Sequence, residues 1–200
     1  MSRRLSDFDA LVAACAVPAR GARRLIALAG PPASGKSTLA PRLADALGGA
    51  VVPMDGFHLD DTLLEPRGLL PRKGAPETFD ATGFIHAMRR LSTEAEVVLP
   101  AFDRARDIAI AGVIPVDSTV RIAVVEGNYL AFDEHPWNTL AEIWDFCTFL
   151  EVPEEVLSER LVARWRDHGL DDEAAHARAS QNDLPNARRI LERRSPAPHP

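Results

Sequence analysis

The sequence predicts an α/β protein of three layers, αβα, built on a mostly parallel five-stranded sheet. Three observations carry that expectation. Short apolar runs alternate along the chain with helical patterns, as in β-α-β connections. Gly30-Pro31-Pro32-Ala33-Ser34-Gly35-Lys36-Ser37 fits G-x-x-x-x-G-K-[ST] and stands between an apolar run and an amphipathic one, the context such a loop requires. Acids follow two further apolar runs, at Asp55 and Glu126, and open parallel sheets bind ligands at the carboxyl ends of their strands.

The loop carries the chemistry. Its glycines let the backbone curl until successive N–H groups face phosphate oxygens, and the helix after it aims its positive end at the same anion. Gly30, Pro31, Pro32, Ala33, Ser34 and Gly35 form the cradle, Lys36 adds a point charge, Ser37 offers a hydroxyl to Mg²⁺, and Thr38 continues into the helix. A phosphate-bearing ligand and Mg²⁺ are what this pattern implies.

Composition bounds the rest. The 200 residues, 46% hydrophobic and 26% charged, suit one domain with a full core spanning 1–200. A net charge of -6 argues against a nucleic-acid partner, because such proteins need a basic surface. No apolar run approaches a membrane span, and Asp7 and Asp9 interrupt the basic start at Arg3 and Arg4, so neither a membrane partner nor a secretory signal is expected. Cys15 and Cys147 have neither metal-type spacing nor a disulfide framework, which makes the cytoplasm the default location. A small-molecule substrate is the partner expected; the pattern does not fix an oligomeric state, and a homodimer is compatible with it.

In order, Leu5, Phe8, Leu11, Val12 and Ala16 space as a helix over 5–17. Leu25 to Ala29 is a buried strand, and Leu39, Leu43 and Leu47 mark the helix after the loop, with a kink expected at Pro41. Gly48-Gly49 ends it, and 50–54 is a strand whose Pro53 favours a sheet edge. Asp55-Gly56-Phe57-His58 then either closes a turn or faces the phosphate loop, and the dipeptide alone supports both equally. Residues 57–80 form a long polar connection, read as a lid or substrate-binding insertion or as a surface excursion.

Phe84, Ile85, Met88 and Leu91 make an amphipathic helix capped by Asp80 or Thr82. Residues 97–117 read as a hairpin returning through Gly112, with Pro100 excluding a central sheet position and Asp103 to Asp107 either a solvated turn or a reach back over the site. Val120 to Val125 is a strand ending at Glu126, a candidate carboxylate on the Mg²⁺ side. A short helical piece at 137–140 precedes a strand at 146–150 and a helix over 154–168. On that helix Arg160 and Arg164 stack four apart, suited to phosphates or to a solvated face. A helix over 171–181, a break at 182–187, a short strand at Ile190-Leu191 and a frayed tail from Ser195 complete the reading.

Met54-Asp55-Gly56-Phe57-His58, Arg67-Gly68, Arg72 through Asp80, Pro100-Ala101-Phe102-Asp103-Arg104 and Val125 through Leu130 together resemble the phosphoribulokinase/uridine kinase family of P-loop kinases. Within it they are most similar to the pantothenate kinase-like branch and to small kinases named for fructose transport. The resemblance implies the P-loop nucleoside triphosphate hydrolase fold and ATP-dependent phosphorylation of a small-molecule alcohol. It assigns Lys36 and Ser37 to nucleotide phosphates and Mg²⁺, and Asp55 to the proton of the attacking hydroxyl. Glu126 falls to the metal, Arg160 and Arg164 to a lid over the phosphates, and Asn182 to a substrate-side asparagine. Where pantothenate kinases carry a tyrosine and a histidine in the substrate wall, this chain has Phe102 and Arg104, which points away from pantothenate. Asp55, Asp103, Arg104 and Asp107, with His58 nearby, offer one wall of donors and acceptors, so a sugar such as fructose is the first expectation; a nucleoside is the alternative, on a stacking face from Phe57, Phe79 and Phe102. A nucleotide-binding regulator that phosphorylates no acceptor is the rival, and the presence of Asp55 argues against it.

Overall fold

The computed structural model describes residues 2–195. Helix α1 (Ser2–Ala14) leads to strand β1 (Arg24–Ala29), the phosphate loop and helix α2 (Lys36–Leu47). Next come β2 (Ala50–Pro53), a run of short helical turns that includes α3 (Asp61–Leu64), helix α4 (Ala81–Thr93), the hairpin β3 (Val97–Asp103) and β4 (Ile108–Val116), and β5 (Ile122–Gly127). A 3₁₀ segment (Trp137–Glu142) precedes β6 (Phe146–Phe149). Helices α5 (Glu154–Asp167), α6 (Asp172–Arg178) and α7 (Leu184–Glu192) close the described chain.

Among the described residues the central sheet is parallel throughout, in the order β2-β5-β1-β6, so it carries four strands rather than five. Ile190 and Leu191, read as a strand from two adjacent apolar residues, lie in α7. Pro53 sits on the edge strand β2, where its missing N–H removes no ladder bond. The hairpin forms a separate antiparallel pair, and its register breaks between Leu99 and Ala101, with Pro100 in the irregular step. The two central strands, β1 and β5, are buried on both faces, while the edge strands β2 and β6 are half-buried. Ile26, Leu28 and Val124 face α1 and α2; Leu25, Ala27 and Val125 face α4 and the hairpin. Helices α5, α6 and α7 enclose a smaller core of their own around Leu157, Leu161 and Ala175, which also takes in Ala33 of the phosphate loop.

Arg23 pins the second layer to the sheet. Its buried guanidinium donates to the carbonyls of Leu91, Glu94 and Ala95 at the end of α4, and to Asp117 and Val120 before β5.

Three local expectations change. Helix α2 runs unbroken through Pro41. The segment 182–187 is no break, because α6 passes through a π turn (Ala179–Asp183) directly into α7. Pro185 misleads there: it follows the π turn at the start of α7, where the widened helical step accommodates a residue without an N–H. The hairpin turns at 104–107, and Gly112, with φ of 75°, lies inside β4 where the ladder is irregular. Of the tail, Ser195 donates its N–H to the Ala131 carbonyl, and residues 196–200 lie outside those described. Among the described residues no helix is long and apolar enough to cross a membrane.

Candidate active site

Strand order assembles the site. Pro53, Glu126 and Leu28 lie in register on β2, β5 and β1, so the segments that leave these three strands emerge side by side. Asp55 leaves the outer strand, Glu126 and Asn128 the middle one, and the phosphate loop the inner one. Neighbouring strands lie about 4.8 Å apart, so three segments remote in sequence meet at one sheet edge.

The loop's backbone depends on glycine. Gly30 has φ of 153°, and a Cβ there would meet the Leu150 carbonyl oxygen at 2.9 Å. Gly35, at φ 100°, opens α2 with nothing within 4 Å of where a Cβ would stand, so its need is conformational. Because α2 starts at Lys36, the Lys36 and Ser37 amides have no intrahelical acceptor and open on the cleft above the loop, a cavity of about 680 Å³, whereas Thr38 and Leu39 donate to the Gly35 carbonyl.

Lys36 is only 5% exposed. Its ammonium donates to the carbonyls of Gly30 and Pro31, both at 2.8 Å, to Asn128 Oδ1 at 2.9 Å and, more weakly, to Ser34 Oγ at 3.4 Å. Burial brings its pKa down to about 8, against the pull of Glu126 and Asp55.

Ser37 Oγ stands 3.4 Å from each carboxylate oxygen of Glu126. Glu126 is buried and makes no salt bridge among the described residues, and burial followed by the charge of Asp55 raises its pKa. A buried carboxylate and a hydroxyl are hard oxygen donors, so they fit Mg²⁺. Among the described residues no cluster of three or more His, Cys, Asp or Glu stands together.

A second cavity, of about 400 Å³, adjoins the loop and is lined by Asp55, His58, Phe102 and Arg104. Arg104 Nη2 donates to Asp55 Oδ2 at 2.5 Å, so the charged run after β3 does reach back. His58 lies between Phe79 and Phe102, with ring centroids 4.0 and 4.5 Å away. Its Nδ1–H donates to the Asp55 carbonyl at 2.7 Å, which turns Nε2 away from that carbonyl. Lys73 joins the walls by binding Asp61 at 2.6 Å and Asp107 at 2.8 Å.

Arg104 and Arg164 line both cavities. Arg164 is half-buried and forms no salt bridge among the described residues; burial and then the charge of Arg104 lower its pKa. Arg160 is exposed, lines the cleft above the loop and donates to the Ala33 carbonyl at 3.1 Å.

Other expected residues fall elsewhere. Asn182 does not line this second cavity: it is 5% exposed, donating to the Lys73 carbonyl at 3.0 Å and accepting from Asn186. Phe79 is buried behind His58, and Phe57 packs edge-on against Phe84, so of the three phenylalanines only Phe102 lines the cavity. Asp103 is occupied within its turn by Arg106. The sequence reading missed Asn128, Lys73, Trp165, Arg178 and Asp183, all cavity-lining. Asn128 follows Glu126 by two residues and was within reach of the same strand-end argument; the last three come from helices whose packing over the loop leaves no local signal.

No protein-family model matches the chain. It is 35% identical over 176 residues to the uncharacterized protein YggC of Escherichia coli (strain K12), across 84% of this chain and 73% of that one. It is 36% identical over 179 residues to a Schizosaccharomyces pombe protein described as "putative uridine kinase", across 82% of this chain and 76% of the other. Among solved structures, one described as a "putative fructose transport system kinase" from Silicibacter sp. TM1040 superposes with a TM-score of 0.87 at 54% identity, covering 97% of this chain and 95% of that one.

Proposed function

The chain belongs to the phosphoribulokinase/uridine kinase-like family of P-loop kinases, and from that premise we propose that it is a cytoplasmic kinase that transfers the γ-phosphoryl group of ATP to a hydroxyl of a small polyhydroxy compound, a sugar such as fructose. The observation that carries the reading is the join between the two cavities: Asp55 stands beside the Lys36, Ser37 and Glu126 group, with Arg104 and Arg164 on both sides of the boundary.

Phosphoryl transfer asks the protein for position and charge. Phosphate-loop amides and Lys36 bind the phosphates, and Arg164 supplies charge where the transferring group passes. Ser37 and Glu126 would hold a Mg²⁺ ion, which would supply charge neutralisation at the phosphates. Asp55, oriented by Arg104, accepts the proton of the attacking hydroxyl. Arg164 and Trp165 of α5, Arg178 of α6 and Asn186 of α7 line the acceptor side of the join.

A polyhydroxy acceptor suits the wall because each hydroxyl donates and accepts, and Asp55, Asp107, His58, Arg104 and Arg178 offer both kinds of partner. The name of the Silicibacter relative supports the same class. A nucleoside finds less stacking surface, since Trp165 is flanked by Arg164 and Arg178. The test is ADP release with sugars, nucleosides and pantothenate as acceptors. Stimulation by sugars is expected; stimulation by nucleosides or pantothenate alone overturns the sugar assignment, and no stimulation by any acceptor favours a nucleotide-binding regulator.

A further inference from the structure

Asn128 touches both halves of the site. Its side chain accepts from Lys36 at 2.9 Å and also lines the acceptor cavity. An ammonium group has only donors, so the amide must present Oδ1 to Lys36, and its NH₂ lies on the opposite arm of the same plane. Among the described residues none of the hydrogen bonds uses that NH₂. Lys36 has no need of Asn128 for satisfaction either, because an ammonium carries three hydrogens and the carbonyls of Gly30 and Pro31 and the Ser34 hydroxyl also accept from it. The lysine therefore fixes the amide more than the amide fixes the lysine.

Asp55 offers an acceptor to the same cavity. A bound compound thus meets one carboxylate that takes a proton and one amide that gives a hydrogen bond. We propose that Asn128 is a specificity-determining residue whose NH₂, oriented by Lys36, donates to an acceptor oxygen adjacent to the hydroxyl that Asp55 engages. This rests on the proposed kinase activity and narrows the acceptor to compounds with two neighbouring oxygens, a vicinal diol or an α-hydroxy carbonyl. A simple alcohol leaves the NH₂ desolvated and unpaired, and sites built to bond a second polar group reject analogues that lack it.

The test uses the full chain with Asn128→Leu, which removes both arms of the amide, and Asn128→Asp, which keeps an oxygen for Lys36 and replaces the NH₂ by an acceptor. Affinity for the fluorescent nucleotide mant-ADP is measured first. The KM of D-fructose, or of uridine where that is what the wild type accepts, is then measured by ADP release at saturating ATP. Both variants are expected to raise the acceptor KM about tenfold or more. In Asn128→Leu, mant-ADP affinity stays within about threefold, since three other oxygens hold Lys36. If Asn128→Leu fails to fold, Asn128→Asp, nearly identical in shape, decides. A wild-type-like Asn128→Asp beside an Asn128→Leu that loses mant-ADP affinity at unchanged acceptor KM overturns the proposal and leaves Asn128 a partner of Lys36 alone. Wild-type KM in both variants overturns it as well. A wild type that neither compound accelerates overturns the kinase reading, and this proposal with it.

Discussion

Arg104 closes a 49-residue gap in sequence to place Nη2 2.5 Å from Oδ2 of Asp55. The pair spans the boundary between the two cavities, so Arg104 orients the carboxylate proposed to accept the proton as well as contributing wall. Arg104→Ala should therefore lower turnover and raise the acceptor KM, whereas Phe102→Ala, which removes one face of a stack, should raise KM with less loss of turnover. Steady-state kinetics on both variants with a sugar acceptor checks this. A greater effect of Phe102→Ala would point to an acceptor bound chiefly by stacking.

Asp55→Asn preserves shape but cannot take a proton. Acceptor-dependent turnover should fall roughly a hundredfold or more, with nucleotide affinity retained. Collapse of nucleotide affinity at normal turnover per bound nucleotide would instead make Asp55 a structural or metal-side residue.

Lys36→Ala should abolish turnover, since the phosphate charge loses its point partner. The lysine is buried and bonded to two loop carbonyls, not the exposed side chain a surface loop would suggest, so a stability loss accompanies the change. Leaving those carbonyls unpaired costs about 1–3 kcal/mol, visible as a lower melting temperature with a native circular dichroism spectrum. Turnover like that of the wild type would remove the phosphate-loop assignment.

Much of this arrangement was legible in sequence, for local reasons. The loop pattern, the acids at Asp55 and Glu126 and the edge position of Pro53 follow from spacing and strand ends, and the fold class follows from alternation. The strand count did not, because Ile190 and Leu191 are adjacent apolar residues whose helical period shows only with Ala187 and Leu184. Asn182 to Ala187 has the composition of a turn, yet Pro185 sits where a helix tolerates it and a π turn absorbs the irregularity. Trp165, Arg178 and Asp183 reach the cavity only through the tertiary packing of α5, α6 and α7, which no local pattern encodes.

Arg23 gives a stability prediction independent of the site. Its guanidinium meets five backbone carbonyls and is 2% exposed, so Arg23→Met fills much of the volume but leaves those acceptors without donors. A loss of about 3 kcal/mol or more is expected in urea unfolding. A variant within about 0.5 kcal/mol of wild type would mean that water replaces the guanidinium freely.

His58 sets the final prediction, on pH. Burial between Phe79 and Phe102 holds the imidazole pKa below its ordinary 6.5; Asp55 and Asp107 pull it up and Lys73 pushes it further down, and burial prevails. In the unfolded chain the ring titrates near about 6.5. Between the two values the unfolded state binds more protons than the folded one, so stability rises with pH across that window. The contribution is complete above about 6.5 and is lost as pH falls through the lower, folded value. His58→Gln removes the titration while keeping a polar group of similar reach. The urea-unfolding free energy of wild type minus variant should therefore shrink as pH is lowered from about 7.5 to 5.5, because only the wild type carries a ring that resists protonation when folded. A difference that stays flat across that range would mean that the folded ring takes its proton as readily as the unfolded one, and that the aromatic stack does not desolvate it.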